Sequence, residues 1–297
     1  MNLILALVAA LAYGVSDYLG GLASRRHPVL HVILVAYPVS ALALLLAAPW
    51  LGGEPTSEAL LYGALSGASM ALAIGFFYAA LAQGPMSVVS PVTAVLAAAI
   101  PVGLGLLAGE TLTALALLGV ALALGAIVLV SLPPKRATTV CADAPRLTPA
   151  VLGLACVAGS AFALSFFLIH RIPAGGGLWP MLAARGTATG AVLLFWIVRR
   201  RCVSLARSAQ LAQLARPKQS GGDLLRLGAW VGVLDGLANA CVYYALGLGA
   251  LSTTSVITSL YPVATVALAI LLLGERVGRV QAAGMALAAV AVGLIAL

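Results

Sequence analysis

The chain has 297 residues, of which 63% are hydrophobic and only 8% charged, against roughly 25% charged in a soluble domain. A water-soluble fold of this length has too little interior to hide so much apolar side chain, which excludes a soluble enzyme core. The formal net charge is +8, but the basic residues lie between apolar runs and not on one face of a folded module, which excludes nucleic acid and leaves anionic lipid headgroups as their expected neighbours.

A helix rising about 1.5 Å per residue crosses a hydrocarbon layer of roughly 30 Å in about 20 apolar residues. Ten such segments are predicted: Asn2 to Leu22, Leu30 to Ala48, Ala59 to Leu81, Pro85 to Leu107, Thr113 to Leu132, Pro149 to His170, Leu178 to Val198, Leu227 to Leu248, Leu251 to Leu273 and Val277 to Leu297. Runs such as Thr113 to Leu132 are apolar on every face, so the alternation of a β-barrel is absent. Gln83-Gly84 separates the third and fourth segments, with Gly84 suited to a helix end and Pro85 to a first turn. Prolines 91, 101 and 262 are expected to interrupt the fourth and ninth helices, because each lacks a backbone donor.

Two stretches are more polar. Residues 133–148, with three prolines, Lys135, Arg136 and Arg146, read as an aqueous linker between a first unit, 1–132, and a second, 149–297. Residues 199–226 hold seven of the sixteen basic residues and suit a short amphipathic helix on the membrane, with Leu205, Leu211 and Leu214 towards lipid. Ala10-Leu11-Ala12 resembles a signal-peptidase site but follows no Lys or Arg, so cleavage is not expected. Cys141, Cys156, Cys202 and Cys241 form no C-x-x-C pair, and His27, His31 and His170 do not cluster, so neither a metal nor a cofactor is expected.

An internal repeat joins the halves. A shift of 165 residues lays Tyr78 on Tyr243, Ser87 on Ser252, Ser90 on Ser255, Thr93 on Thr258, Gly109-Glu110 on Gly274-Glu275 and Gly119 on Gly284. At another offset Tyr13-Gly14-Val15-Ser16 faces Phe162-Ala163-Leu164-Ser165. Each half therefore holds five helices. Five crossings return the chain to the opposite side, so the second half enters in the reverse direction, as in inverted-repeat secondary transporters. The expected fold is an all-α membrane protein with ten transmembrane helices in two inverted five-helix repeats. Lys and Arg concentrate in the loops after odd-numbered helices, which places those loops in the cytoplasm and both termini outside.

An ionised side chain against lipid costs about 2.5–3.5 kcal/mol even on the lenient insertion scale, so intramembrane polar residues are the candidates for a cavity. Arg185 in helix seven could hold a substrate carboxylate or phosphate, or pair with Asp235. Asp235, Asn239 and Tyr243 form a stripe at helical spacing that could bind ammonium or hydroxyl groups, or glue helices together. Asp17, with Tyr13 and Ser16 beside it, could exchange a proton or pair among headgroups near Arg25 and Arg26. Ser87, Ser90 and Thr93, with Ser252, Ser255, Thr258 and Ser259, make a repeated hydroxyl face that could line a cavity or bond back to the preceding turn. Tyr78 and Tyr261 complete the candidate set. Gly14, Gly67 and Gly232 suit close helix contact, and Glu110 and Glu275 are expected to cap the helices that follow them. No ATP-binding motif or Ser, His and Asp arrangement implies a chemical step.

The repeated L-x-G-E signature at Leu107-Ala108-Gly109-Glu110 and Leu273-Gly274-Glu275, with Gln281 to Met285, Tyr261-Pro262-Val263 and Ala12 to Tyr18, resembles the EamA family of the drug/metabolite transporter superfamily over nearly the whole chain. The resemblance implies a ten-helix bacterial inner-membrane carrier with a central cavity lined by both halves, exporting amino acids or other small metabolites. It implies termini in the cytoplasm, the opposite of the charge bias. Two features depart from the family pattern: Pro49 to Glu58 has no Lys or Arg, and Tyr37 aligns with Arg185 where the family often carries Arg. The expected partners are a small-molecule substrate and membrane lipids, with protons and a second copy of the chain as further options. Arg185 and Asp235 together would suit a zwitterion. The alternatives are an accessory membrane protein and, less favoured, an intramembrane enzyme.

Overall fold

The computed structural model describes residues 1–83, 86–131, 148–206, 221–273 and 278–296. They form α1 (Asn2–Arg26), α2 (Val29–Leu51), α3 (Ser57–Gln83), α4 (Met86–Leu107), α5 (Ala114–Ser131), α6 (Pro149–His170), α7 (Trp179–Ala206), α8 (Gly221–Leu248), α9 (Leu251–Thr258), α10 (Tyr261–Leu273) and α11 (Arg279–Ala296). Residues 133–147 of the expected linker, with Gly84, Pro85 and Glu275, lie outside the described residues.

Local chemistry sets several helix starts. Thr148 accepts a hydrogen bond from the Val151 N–H at 3.3 Å, with Pro149 in the first turn of α6. Thr56 and Thr113 cap α3 and α5 in the same way, accepting from Ala59 at 3.2 Å and Ala116 at 3.1 Å. Such caps satisfy N–H groups that the helix itself leaves unpaired.

Three expectations about helix extent change. The ninth predicted helix is two helices, because Pro262 has no N–H for the carbonyl four residues back; α9 ends at Thr258 and is capped by Ser259, whose N–H donates to the Ser255 carbonyl at 2.9 Å. The fourth helix runs unbroken through Pro91 and Pro101, since a membrane helix can lose single ladder bonds where neighbours support it. Residues 199–206 extend α7 and 221–226 open α8, so the separate amphipathic helix expected over 199–226 is not seen there; 207–220 lie outside the described residues.

Among the described residues, α1, α2, α3, α6, α7 and α8 are long and apolar enough to cross a membrane, and Val92–Leu107, Ala114–Val130 and Arg279–Ile295 are shorter apolar helices. The chain is a multi-pass membrane protein. Leu42, Leu45 and Leu46 on α2 and Leu193, Leu194 and Ile197 on α7 are exposed large apolar side chains suited to lipid.

The packing is reciprocal between the two halves. α1 packs on α8 as α3 packs on α6, α2 on α8 as α3 on α7, and α4 on α6 as α1 on α9 and α10, while α2 meets α7 and α5 meets α11. Every such contact survives exchange of the first five helices for the last set.

Small residues allow these approaches, because lipid offers helices no hydrophobic drive to associate and packing must do it. Gly14 lies against the Tyr261 carbonyl and Ala264, Gly67 against the Ala184 carbonyl, and Gly232 against the Ala36 carbonyl and Val39, the contact roles expected for all three. Gly63 is a further case, since a Cβ there would overlap the Pro180 backbone of α7. Gly63→Ala is expected to destabilise the protein by about 1–3 kcal/mol, read as lower yield and a lower melting temperature in detergent.

Candidate polar site between the two halves

A charged cluster sits where α2, α7 and α8 meet. Arg185 Nη1 lies 3.1 Å from Asp235 Oδ2, with the arginine side chain 4% exposed and the aspartate 16%. The guanidinium carbon stands 5.1 Å from the centre of the Tyr37 ring, a cation–π distance. Asn239, one turn beyond Asp235, donates to its Oδ1 at 3.2 Å and to its carbonyl at 2.7 Å. The ion pair is charge to charge: neither Arg185 Nη1 nor Asp235 Oδ2 completes an aligned hydrogen bond.

The space beside Arg185 and Asn239 is bounded by Ser66 and Gly67 of α3 and Ser165 of α6, and holds about 10 Å³. That is room for about one water molecule. Ser165 donates to the Ser66 carbonyl at 3.2 Å, closing the space on that side.

Tyr13 connects this cluster to a second group, lying in Coulomb range of Asp235, Arg185, Tyr37 and Asp17. Its ring meets that of Tyr261 edge-on, 6.4 Å between centroids, across the α1 and α10 contact. Asp17 interacts electrostatically with both Asp235 and Tyr261. Asp17 comes nine residues after Val8, which at about 100° per residue puts it half a turn round from that exposed side chain. Ile4, Val8 and Leu11 mark the lipid face of α1, so Asp17 points inward. It is nevertheless exposed.

One end of the bundle is closed by ties between the halves. The Glu54 N–H donates to the Gly175 carbonyl at 3.1 Å, and Trp179 Nε1 to the Gly53 carbonyl at 3.2 Å. Glu110 was expected to cap α5. Instead its Oε1 accepts from the Leu251 N–H at 2.6 Å and its Oε2 from the Ser252 N–H at 3.1 Å and from the Ser252 hydroxyl. Thr113 already caps α5, Gly109 turns the chain at φ +92°, and the missing side chain of Gly105 leaves room for the carboxylate.

A family model for EamA-like transporters matches residues 1–132 and 149–297. The chain belongs to the EamA family. As an EamA-like protein it is a transporter and not an enzyme, and membership supports a general secondary-transport function. A solved structure described as "Crystal structure of protein" is similar, with a TM-score of 0.72 and 16% identity, covering 99% of this chain and 95% of that one. At that identity the likeness shows a shared fold. None of the curated proteins matches. Among the described residues no group of His, Cys, Asp and Glu could hold a metal ion.

The EamA fold gathers some sequence-predicted residues and scatters others. Tyr13, Asp17, Arg185, Asp235, Asn239 and Tyr261 come together. Ser16 instead bonds to the Val231 carbonyl at 3.2 Å and joins α1 to α8. Thr93 reaches the Ala155 carbonyl at 3.4 Å, joining α4 to α6, and Ser255 bonds back to Ser252 at 3.1 Å. Tyr243 lies in an apolar cluster with Phe166, Ile169 and Leu246, its ring 5.1 Å from that of Tyr244. Thr258 is buried and its hydroxyl makes no hydrogen bond among the described residues. The side chains of Tyr78 and Ser90 lie outside the described residues. Sequence reasoning missed Tyr37, Ser66 and Ser165 as site residues. For Tyr37 the signal was present: it is the repeat counterpart of Arg185, and the reciprocal α2 and α7 contact brings the two counterparts together.

Proposed function

We propose that this protein is a secondary active transporter of small metabolites in the bacterial inner membrane, an exporter of amino acids or related compounds. It works by alternating access, with the proton gradient as its energy source. The observation that carries this reading is the ion pair of Arg185 and Asp235 buried under Tyr37 at the junction of the halves, a costly arrangement in a membrane that function accounts for better than adhesion does. The reciprocal packing supports ten crossings in two inverted five-helix repeats that rock against each other. A space for one water beside Arg185, with one end tied shut, fits a state in which that end of the pathway is closed. Asp17 is the group placed to carry the coupling proton, facing Tyr13, Tyr261 and Asp235.

Flux in membrane vesicles tests the reading. At least one compound of this class, an amino acid or a related amine, should accumulate under an imposed proton gradient and cease to do so when it is collapsed. Asn239→Leu should lower flux by about tenfold or more, as expected when a hydrogen bond to a charged group is lost, at unchanged abundance. Tyr243→Phe, in the apolar cluster, should leave flux near the wild-type level. Loss of abundance without a change in flux per molecule would remove the transport reading.

A further inference from the structure

We propose that the site recognises its substrate through a protonated amine held at Asp17 and disfavours compounds whose carboxylate would have to reach Arg185. The inference rests on the transport reading above and narrows its substrate class, from amino acids and related compounds to small amines of net positive charge, in place of the zwitterion that Arg185 and Asp235 suggest when read apart.

Arg185 is already committed. Asp235 holds it at 3.1 Å, the Tyr37 ring covers it at 5.1 Å, and the space left beside it is about 10 Å³. A carboxylate is far larger than the single water that such a space admits. To receive one, Arg185 would have to release Asp235, leaving a buried carboxylate without its cation, and breaking a pair in that way is strongly unfavourable.

Asp17 has none of these commitments. Among the described residues no hydrogen bond or ion pair engages it; its electrostatic neighbours are Asp235 and Tyr261. It is exposed, yet on the face of α1 turned away from lipid. With Arg185 paired to Asp235, Asp17 is the carboxylate of the cluster that has no counter-charge among the described residues. The second observation is aromatic. Tyr13 and Tyr261 stand beside Asp17 with their rings 6.4 Å apart, and aromatic faces attract organic cations and not carboxylates. A carboxylate next to two tyrosines therefore suits an ammonium group with a short apolar body.

The test uses the full-length protein in membrane vesicles, with Cys141, Cys156, Cys202 and Cys241 replaced by serine or alanine and a single thiol introduced by Gly21→Cys, one turn beyond Asp17 on the same face of α1, where an added side chain meets open space. The thiol should react with a cationic methanethiosulfonate at least about tenfold faster than with an anionic one of similar size. Adding Asp17→Asn should return that ratio close to the value for a free thiol in solution. Phenethylamine should protect the thiol, whereas phenylalanine and 3-phenylpropanoate, on the same skeleton, should protect weakly or not at all. A ratio near that of the free thiol with Asp17 present, a thiol that neither reagent reaches, or equal protection by all three compounds would overturn the proposal. Flux separates it from the reading on which it rests. Carriage of anions or zwitterions with no preference for amines sinks the proposal and leaves transport standing. Amine protection without flux of any amine keeps the site and removes transport.

Discussion

Asp235→Asn is expected to be among the most damaging single changes in this protein, lowering stability by about 3–5 kcal/mol because it leaves the Arg185 guanidinium buried without its counter-charge. The guanidinium does not lose its proton to escape, and Tyr37, whose ring lies 5.1 Å away, brings no full negative charge to replace the carboxylate. The measurement is unfolding of purified protein in mixed micelles under increasing denaturant. Arg185→Gln in the same chain should recover most of the loss, since removing both charges is often nearly neutral for stability. Flux should stay low in the double variant. A single Asp235→Asn variant as stable as the parent would show that the 3.1 Å pair contributes nothing.

The second large effect concerns Glu110. Its carboxylate satisfies two N–H groups at the start of α9 and one hydroxyl, and it reaches them from the turn after α4 in the other half of the chain. Hydrogen bonds to a charged acceptor contribute about 1.5–3 kcal/mol, and a negative group at a helix N-terminus gains further from the helix dipole. Glu110→Ala should therefore loosen the joint between the halves at the end that is tied shut. Thr254→Cys, at a fully buried position on α9, reports on it: labelling by a membrane-impermeant maleimide should rise about tenfold in Glu110→Ala, matching a loss of about 1.4 kcal/mol from the closed state. Glu110→Gln keeps an accepting oxygen and should fall between Ala and the parent. Unchanged labelling in both variants would mean that the contact does not hold the end closed.

Glu110 also shows where reading by sequence stops. Its neighbours in the chain, Gly109 and Thr113, pointed correctly to a turn and to helix capping, but the helix capped starts 141 residues away. Local spacing carries information about a helix's own first turn, and Thr148, Thr113 and Thr56 obey it. It carries none about which remote N-terminus lies alongside. The stripe of Asp235, Asn239 and Tyr243 divides for the same reason. Helical spacing placed all three on one face, and neighbouring helices then set the first two against Arg185 and the third against Phe166 and Leu246.

The sequence by itself determined that this chain lives in a membrane, that it consists of helices, that its halves repeat, and that Arg185 and Asp235 were the charges to watch. Those properties follow from composition, run length and register, which are local or periodic. Tertiary structure decided which helices touch, that Tyr37 covers Arg185, that Ser16 and Thr93 are spent on helix contacts, and that Asp17 faces inward and stays accessible. The physical reason is the solvent. In water an apolar stripe reveals the buried face of a helix, but hydrocarbon is no different from leucine. Helices apolar all round therefore find their partners through glycine approaches and single polar contacts between segments far apart in the chain.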